Sequence, residues 1–135
     1  WARQHTLLPV ATVHGIIRLN NTGHRQTITM NEIIDALKKF RDERDWQQFH
    51  NPKDLSLALS IEAAELLEAF LWKQPEDADP EKIKEELADV FSFAFLLADA
   101  CDLDVKDIVL AKIKQNEEKY PVSKARGTAR KYNEL

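Results

Sequence analysis

The sequence predicts an all-α protein, an antiparallel four-helix bundle protomer that assembles into a dimer or a dimer of dimers. Three observations carry that prediction. Among 135 residues there are 3 glycines and 5 prolines, and Ala, Leu, Glu and Lys dominate from Thr29 onward, a mixture that favours helices over strands. Helix-start signals recur at Thr29, Asn51-Pro52, Asp79-Pro80 and Asp104. The loops between them are short, which sets neighbouring helices antiparallel.

Each element follows from local chemistry. Thr29 caps the first helix with Glu32 as its capping-box partner, and Ile33, Ile34, Leu37 and Phe40 line one side as far as about Arg44. Asn51 caps and Pro52 opens a second helix, to about Trp72. Gln74 to Asp79 is a polar loop. Asp79-Pro80 opens a third helix, to about Cys101, and Asp104 caps a fourth that stops before Tyr120-Pro121. Residues 1–28 have no helical period and are rich in Thr, Val, Ile and Asn. They form an N-terminal arm or a non-native extension of unknown role, leaving 29–135 as the domain.

The second helix also predicts assembly. At about 100° per residue its apolar side chains, among them Leu55, Leu59, Leu66 and Phe70, fill an arc from roughly 20° to 220° measured from Glu62. A small four-helix monomer exposes part of so wide an arc, so a homodimer or a homotetramer is expected to bury it.

Composition excludes several classes. The net charge of −4 argues against general nucleic-acid binding. The apolar run Val90–Ala98 is far short of the about 20 residues a membrane span needs. The start of the chain lacks the basic-then-apolar pattern of a signal peptide. The single Cys101 cannot form an internal disulfide, which suits the reducing cytoplasm. Charge is uneven, with acids gathered between Glu62 and Glu86 and Lys or Arg prevailing from Lys112 to Lys131. An acidic centre with a basic arm is what a metal site serving a polyphosphate requires; a solvated basic tail is the plainer reading of the arm.

The chemistry concentrates in four carboxylates. Glu62 and Glu65 share one face of the second helix, and Glu86 and Asp89 share one face of the third. The segment between Glu65 and Glu86 holds a helix end, a loop and a returning turn, so antiparallel packing brings the two pairs together. Phe93, Leu96 and Ala100 flank one pair, and Ala58, Ala69 and Trp72 flank the other. Crowded, desolvated acids repel one another and their pKa values rise. A hard divalent cation resolves that conflict, and Mg²⁺ prefers oxygen ligands and shares its shell with substrate phosphates. The competing reading has the acids solvated and paired with Lys82, Lys84 or Lys73. Every histidine precedes Asn51 and no Glu-x-x-His occurs, which argues against a di-iron bundle.

Glu62-x-x-Glu65, followed after twenty residues by Glu86-x-x-Asp89, resembles the signature of the MazG-like all-α nucleoside triphosphate pyrophosphohydrolases. Arg44 through His50, Leu57-Ala58-Leu59, Trp72-Lys73, Glu85 through Val90, Lys112-x-x-x-Asn116, Tyr120-Pro121-Val122 and the ending Ser123 to Tyr132 resemble its dCTP pyrophosphatase branch. The similarity spans about Met30 to Leu135. It implies Mg²⁺, with Mn²⁺ able to substitute, on Glu62, Glu65, Glu86 and Asp89, with Glu62 or Glu65 as the general base. It also implies Trp46 and Trp72 enclosing the base, Lys112 and Asn116 reaching the phosphates or sugar, and sites formed between subunits. Lys124 and Arg126 close from the tail in this picture. Phe93 stands where that branch often has a tyrosine, and Leu37 where relatives can carry a pocket histidine, so a stacking surface survives while polar contacts are lost.

The resulting expectation is Mg²⁺-dependent hydrolysis of (deoxy)nucleoside triphosphates, dCTP among them, to monophosphate and pyrophosphate, in nucleotide-pool house-cleaning. Two alternatives stand beside it: a non-catalytic helical interaction module, and a pyrophosphohydrolase for another substrate such as phosphoribosyl-ATP. Without the resemblance, Phe93 reads as core and Trp72 as a packing anchor.

Overall fold

The computed structural model describes residues 28–135, and the arm at residues 1–28 lies, but for Ile28, outside them. Every regular element among the described residues is helical: α1 (Met30–Asp42), α2 (Pro52–Glu68), α3 (Pro80–Ala100), α4 (Val105–Lys119) and a short α5 (Val122–Ala125), with 3₁₀ turns at Gln47–Phe49, Pro75–Asp77 and Tyr132–Glu134. No helix among them is long and apolar enough to cross a membrane. The chain divides into two units between Ile33 and Ile34.

In the first unit, the Thr29 amide donates to Glu32 Oε2 at 2.7 Å and the Glu32 amide to Thr29 Oγ1 at 3.3 Å, closing the capping box that starts α1. The other caps lie in the second unit. Asn51 accepts from the Asp54 amide at 3.0 Å, Asp79 from Glu81 at 3.0 Å and Asp104 from Asp107 at 3.0 Å. Each side chain satisfies an amide that the first turn leaves without a helical acceptor.

The helix ends differ from the sequence reading where the chain turns. α2 stops at Glu68, not near Trp72. Beyond it the Phe70, Leu71 and Lys73 amides bond three residues back, at 3.0–3.1 Å. Trp72 sits in the left-handed region at φ 61°. Pro75 three residues on lacks an amide hydrogen and disfavours helix before it. α3 ends in a Schellman arrangement, with Leu103 N–H on Ala98 O at 2.9 Å and Asp102 N–H on Asp99 O at 3.1 Å. Asp102 takes the left-handed position usually given to glycine, at φ 55°.

Within the second unit, α2 and α3 pack along each other, and no other pair of elements described makes a comparable contact. Glu65 meets Glu86 across this pair and His50, just before α2, meets Phe93 well along α3, so the two helices run antiparallel. Leu55, Ala69, Ala78, Leu96 and Ala98 form the buried core. Lys38 on α1 bonds Asp99 on α3 at 2.9 Å. α4 keeps Ile108, Val109, Leu110 and Ile113 exposed, so the described residues of one chain bury a helix pair rather than four helices around a common core.

Candidate active site

The cap at Asn51 fixes where α2 begins, and the Asp79 cap does the same for α3. The phase so set turns Glu62 and Glu65 on α2 toward Glu86 on α3. One carboxylate oxygen from each of the three lies within 4.8 Å of the others. Glu86 is 4 % exposed, whereas Glu62 and Glu65 are half-buried. Asp89, one turn beyond Glu86, is more open and lines the adjoining cleft.

Crowding leaves an electrostatic mark. Burial, reinforced by the charges of Glu65, Asp89 and Glu86, pushes the Glu62 carboxyl up to about 7. Asp89 rises for the same reasons, burial first and then Glu86 and Glu65. One cation answers them: Lys82, a turn before Glu86, donates to its Oε1. The solvated pairing expected of Lys82 is therefore present at Glu86, while Lys84 pairs with Glu81 at 2.9 Å and Lys73 turns to the Ala69 carbonyl at 3.3 Å. One lysine against four acids leaves room for a divalent cation, and oxygen donors at this spacing fit a hard ion. Glu62, Glu65 and Glu86 can hold it, with Asp89 at the cleft side.

Beyond Asp89 opens a cleft of about 380 Å³ lined by Leu37, Phe40, Arg41, Trp46, His50, Asp89, Ser92, Phe93 and Leu96. Its aromatic wall is built by the turn after α1. Asp45 adopts φ 55°, a conformation that Asp tolerates. The Arg41 carbonyl accepts from both the Arg44 and the Trp46 amides at 3.1 Å, folding Trp46 back over α1. The Trp46 ring then stands edge-on to Phe40 at 6.0 Å, and the Arg44 guanidinium covers Phe40 at 3.6 Å. Phe93 faces it from α3, with the His50 ring 6.4 Å away.

Of the predicted substrate residues, Trp46 and Phe93 line this cleft, and Leu37 is in it too. The other five do not line it within one chain. Trp72 is 95 % exposed at the far turn, Lys112 and Asn116 lie on the exposed α4, and Lys124 and Arg126 lie in the exposed tail. Sequence reasoning gave no role to Arg41, His50 or Ser92, and named Leu96 only as an apolar flank of the Glu86 and Asp89 pair. His50 stood inside the family-like run Arg44–His50, a signal that was available, but Arg41 sits in a charged stretch that reads as solvated.

Comparisons agree with this architecture. The MazG-like family matches residues 57–135. dCTP pyrophosphatase 1 of Bos taurus is 39% identical over 115 residues, covering 79% of this chain and 68% of that protein. The Homo sapiens protein of the same name is also 39% identical over 115 residues, with the same coverage. A crystal structure of a pyrophosphatase from Archaeoglobus fulgidus superposes with a TM-score of 0.66 at 37% identity, covering 73% of this chain and 97% of that one. By sequence and by fold, the chain belongs to the MazG-like family.

Proposed function

We infer that this chain is a nucleoside triphosphate pyrophosphohydrolase that hydrolyses (deoxy)nucleoside triphosphates, dCTP among them, to the monophosphate and pyrophosphate. The observation that carries the reading is the meeting of Glu62, Glu65 and Glu86 within 4.8 Å, beside a cleft whose walls are Trp46 and Phe93. The family and the pyrophosphatase names of its relatives support it.

A triphosphate lies with its phosphates at the carboxylates and its base in the aromatic cleft. Mg²⁺ held by Glu62, Glu65, Glu86 and Asp89 supplies charge neutralisation and Lewis acidity toward the triphosphate. Glu62 is a half-buried carboxylate at the head of the acidic row, placed to take a proton beside the phosphates. We assign it the proton of the attacking water. The water oxygen bonds to the α-phosphorus, and the bond from that phosphorus to the α,β-bridging oxygen breaks. Pyrophosphate departs with that oxygen. Trp46 stacks on the base, a contact that tolerates different bases, and Phe93 closes the cleft opposite.

Trp72, Lys112, Asn116, Lys124 and Arg126 act in this proposal on the site of a second copy in a homodimer or homotetramer. The exposed apolar side chains of Leu67, Leu71 and Trp72, and of Ile108, Leu110 and Ile113, support such assembly. Removal of unwanted nucleotides in the cytoplasm is the role this activity fits, with Mn²⁺ able to replace Mg²⁺.

The test is incubation with each of the common ribo- and deoxyribonucleoside triphosphates plus Mg²⁺, with products resolved by ion exchange. Monophosphate and pyrophosphate are expected. Turnover of none, together with no Mg²⁺ binding, would leave a helical interaction module instead.

A further inference from the structure

Arg41 is the one charged side chain of α1 that is buried. It is 9 % exposed, the buried residue of α1, and it lines the cleft beside Trp46, His50 and Phe93. Its Nε donates to Asp42 Oδ1 at 2.7 Å. That bond fixes the plane of the guanidinium and consumes one donor. Among the described residues nothing accepts from Nη1 or Nη2, so four N–H groups remain, two of them parallel at the Nη1/Nη2 end of the fork. Next to it, His50 Nδ1 is buried without a hydrogen-bond partner. Burial and the Arg41 charge lower the His50 pKa, which keeps the ring neutral. A buried polar atom is rarely left unpaired, and His50 Nδ1 lines the same cleft as the unspent Arg41 donors.

Their position identifies the part of a nucleotide they meet. The carboxylates lie beyond Asp89 at one side of the cleft, and the cation that tempers Glu62 and Asp89 is Lys82. Arg41 instead acts on Asp42 and His50. Around Arg41 the lining is Leu37, Phe40, Trp46, Phe93 and Leu96, which are apolar and suit the faces of a flat ring. The Ser92 hydroxyl spends its proton on the Ala88 carbonyl at 2.8 Å. Arg41 is therefore the main donor set available to a base held there.

We propose that Arg41 is the specificity-determining residue of this site, its parallel Nη1–H and Nη2–H groups pairing with a base edge that carries two adjacent acceptors. Cytosine presents such an edge at its ring nitrogen and carbonyl, and guanine at N7 and O6. Thymine and uracil place a donor between their acceptors, and adenine places an amino group beside its own. The inference rests on the pyrophosphohydrolase reading for its substrate, but the selectivity it asserts is measured separately.

The experiment compares kcat/KM for dCTP, dGTP, dTTP and dATP, and for base-free deoxyribose 5′-triphosphate, in wild type, Arg41→Gln and Arg41→Lys. Arg41→Lys keeps charge and stem but loses the planar fork. Wild type is expected to favour dCTP or dGTP over both dTTP and dATP by about tenfold or more, in line with one bidentate pair. In the variants that preference, and the ratio of the favoured nucleotide to the base-free triphosphate, falls by about fivefold or more. Ratios within one protein cancel any loss of folded enzyme. A smaller fall in the variants, or a wild type that turns over dTTP or dATP as well as either favoured base, overturns the proposal. A wild type that hydrolyses no triphosphate overturns the pyrophosphohydrolase reading instead. Calorimetric binding of the α,β-imido analogues of dCTP, dGTP, dTTP and dATP then tests Arg41 by the same ratios.

Discussion

Glu65 on α2 and Glu86 on α3 face each other across the antiparallel helix pair, with carboxylate oxygens within 4.8 Å. Two like charges at that spacing are unfavourable on a half-buried surface, and Lys82 offsets only one of them. The arrangement becomes favourable when a cation is shared, and the predictions below follow from that.

Glu65→Gln and Asp89→Asn each remove a metal oxygen's charge without altering shape. Turnover is expected to vanish while far-UV circular dichroism stays at the wild-type value. Activity retained in either variant would take that carboxylate out of the metal shell. Glu62→Gln, losing the general base, is expected to lower kcat by about 10²–10⁴-fold.

Metal binding to the folded chain raises its stability by about 2.7 kcal/mol at a concentration 100 times the dissociation constant. Thermal unfolding in Mg²⁺ and in chelator measures this. Lys82→Met removes the competing cation from Glu86, so it should lower Tm in chelator and tighten Mg²⁺ binding. An unchanged Mg²⁺ affinity would place the ion elsewhere.

The pH dependence has a definite sign. The folded chain raises the Glu62 carboxyl from 4.5 to about 7, so folding favours its protonated form. That stabilising contribution is complete below 4.5 and is lost as pH rises through about 7. Asp89 is raised as well and acts in the same direction. In chelator, Tm should therefore climb on acidification from pH 8 to 5 relative to Glu62→Gln. Apparent Mg²⁺ affinity should move oppositely, because protons compete for the same oxygens.

Trp46→Ala removes the stacking wall but no acid. KM is expected to rise about tenfold, in the range of one base–aromatic contact, with Mg²⁺ affinity measured by calorimetry nearly unchanged. An unchanged KM would point to another surface for the base.

Asn51→Ala breaks the cap at which the Asp54 amide donates at 3.0 Å. Stability is expected to fall by about 1 kcal/mol, read as a lower midpoint in urea. Since the cap sets where α2 begins, kcat should fall less than in the carboxylate variants.

The sequence by itself determined the helices and the acids. Thr29, Asn51, Asp79 and Asp104 act through their nearest amides, so their caps are written locally. The three-residue spacing of Glu62 and Glu65, and of Glu86 and Asp89, places each pair on one helical face whatever the fold. The end of α2 was less legible, because Trp72 takes a left-handed φ that no glycine announces. Tertiary structure alone decided that Arg41 is buried and that His50 Nδ1 has no partner. Both depend on α1 and the turn after it folding against α3, contacts made by residues more than forty positions apart. An arginine amid Lys38, Lys39, Asp42 and Glu43 carries no local mark of burial. It is withdrawn from water in a cleft it shares with Phe93 and Leu96 of α3, which lie far from it in sequence.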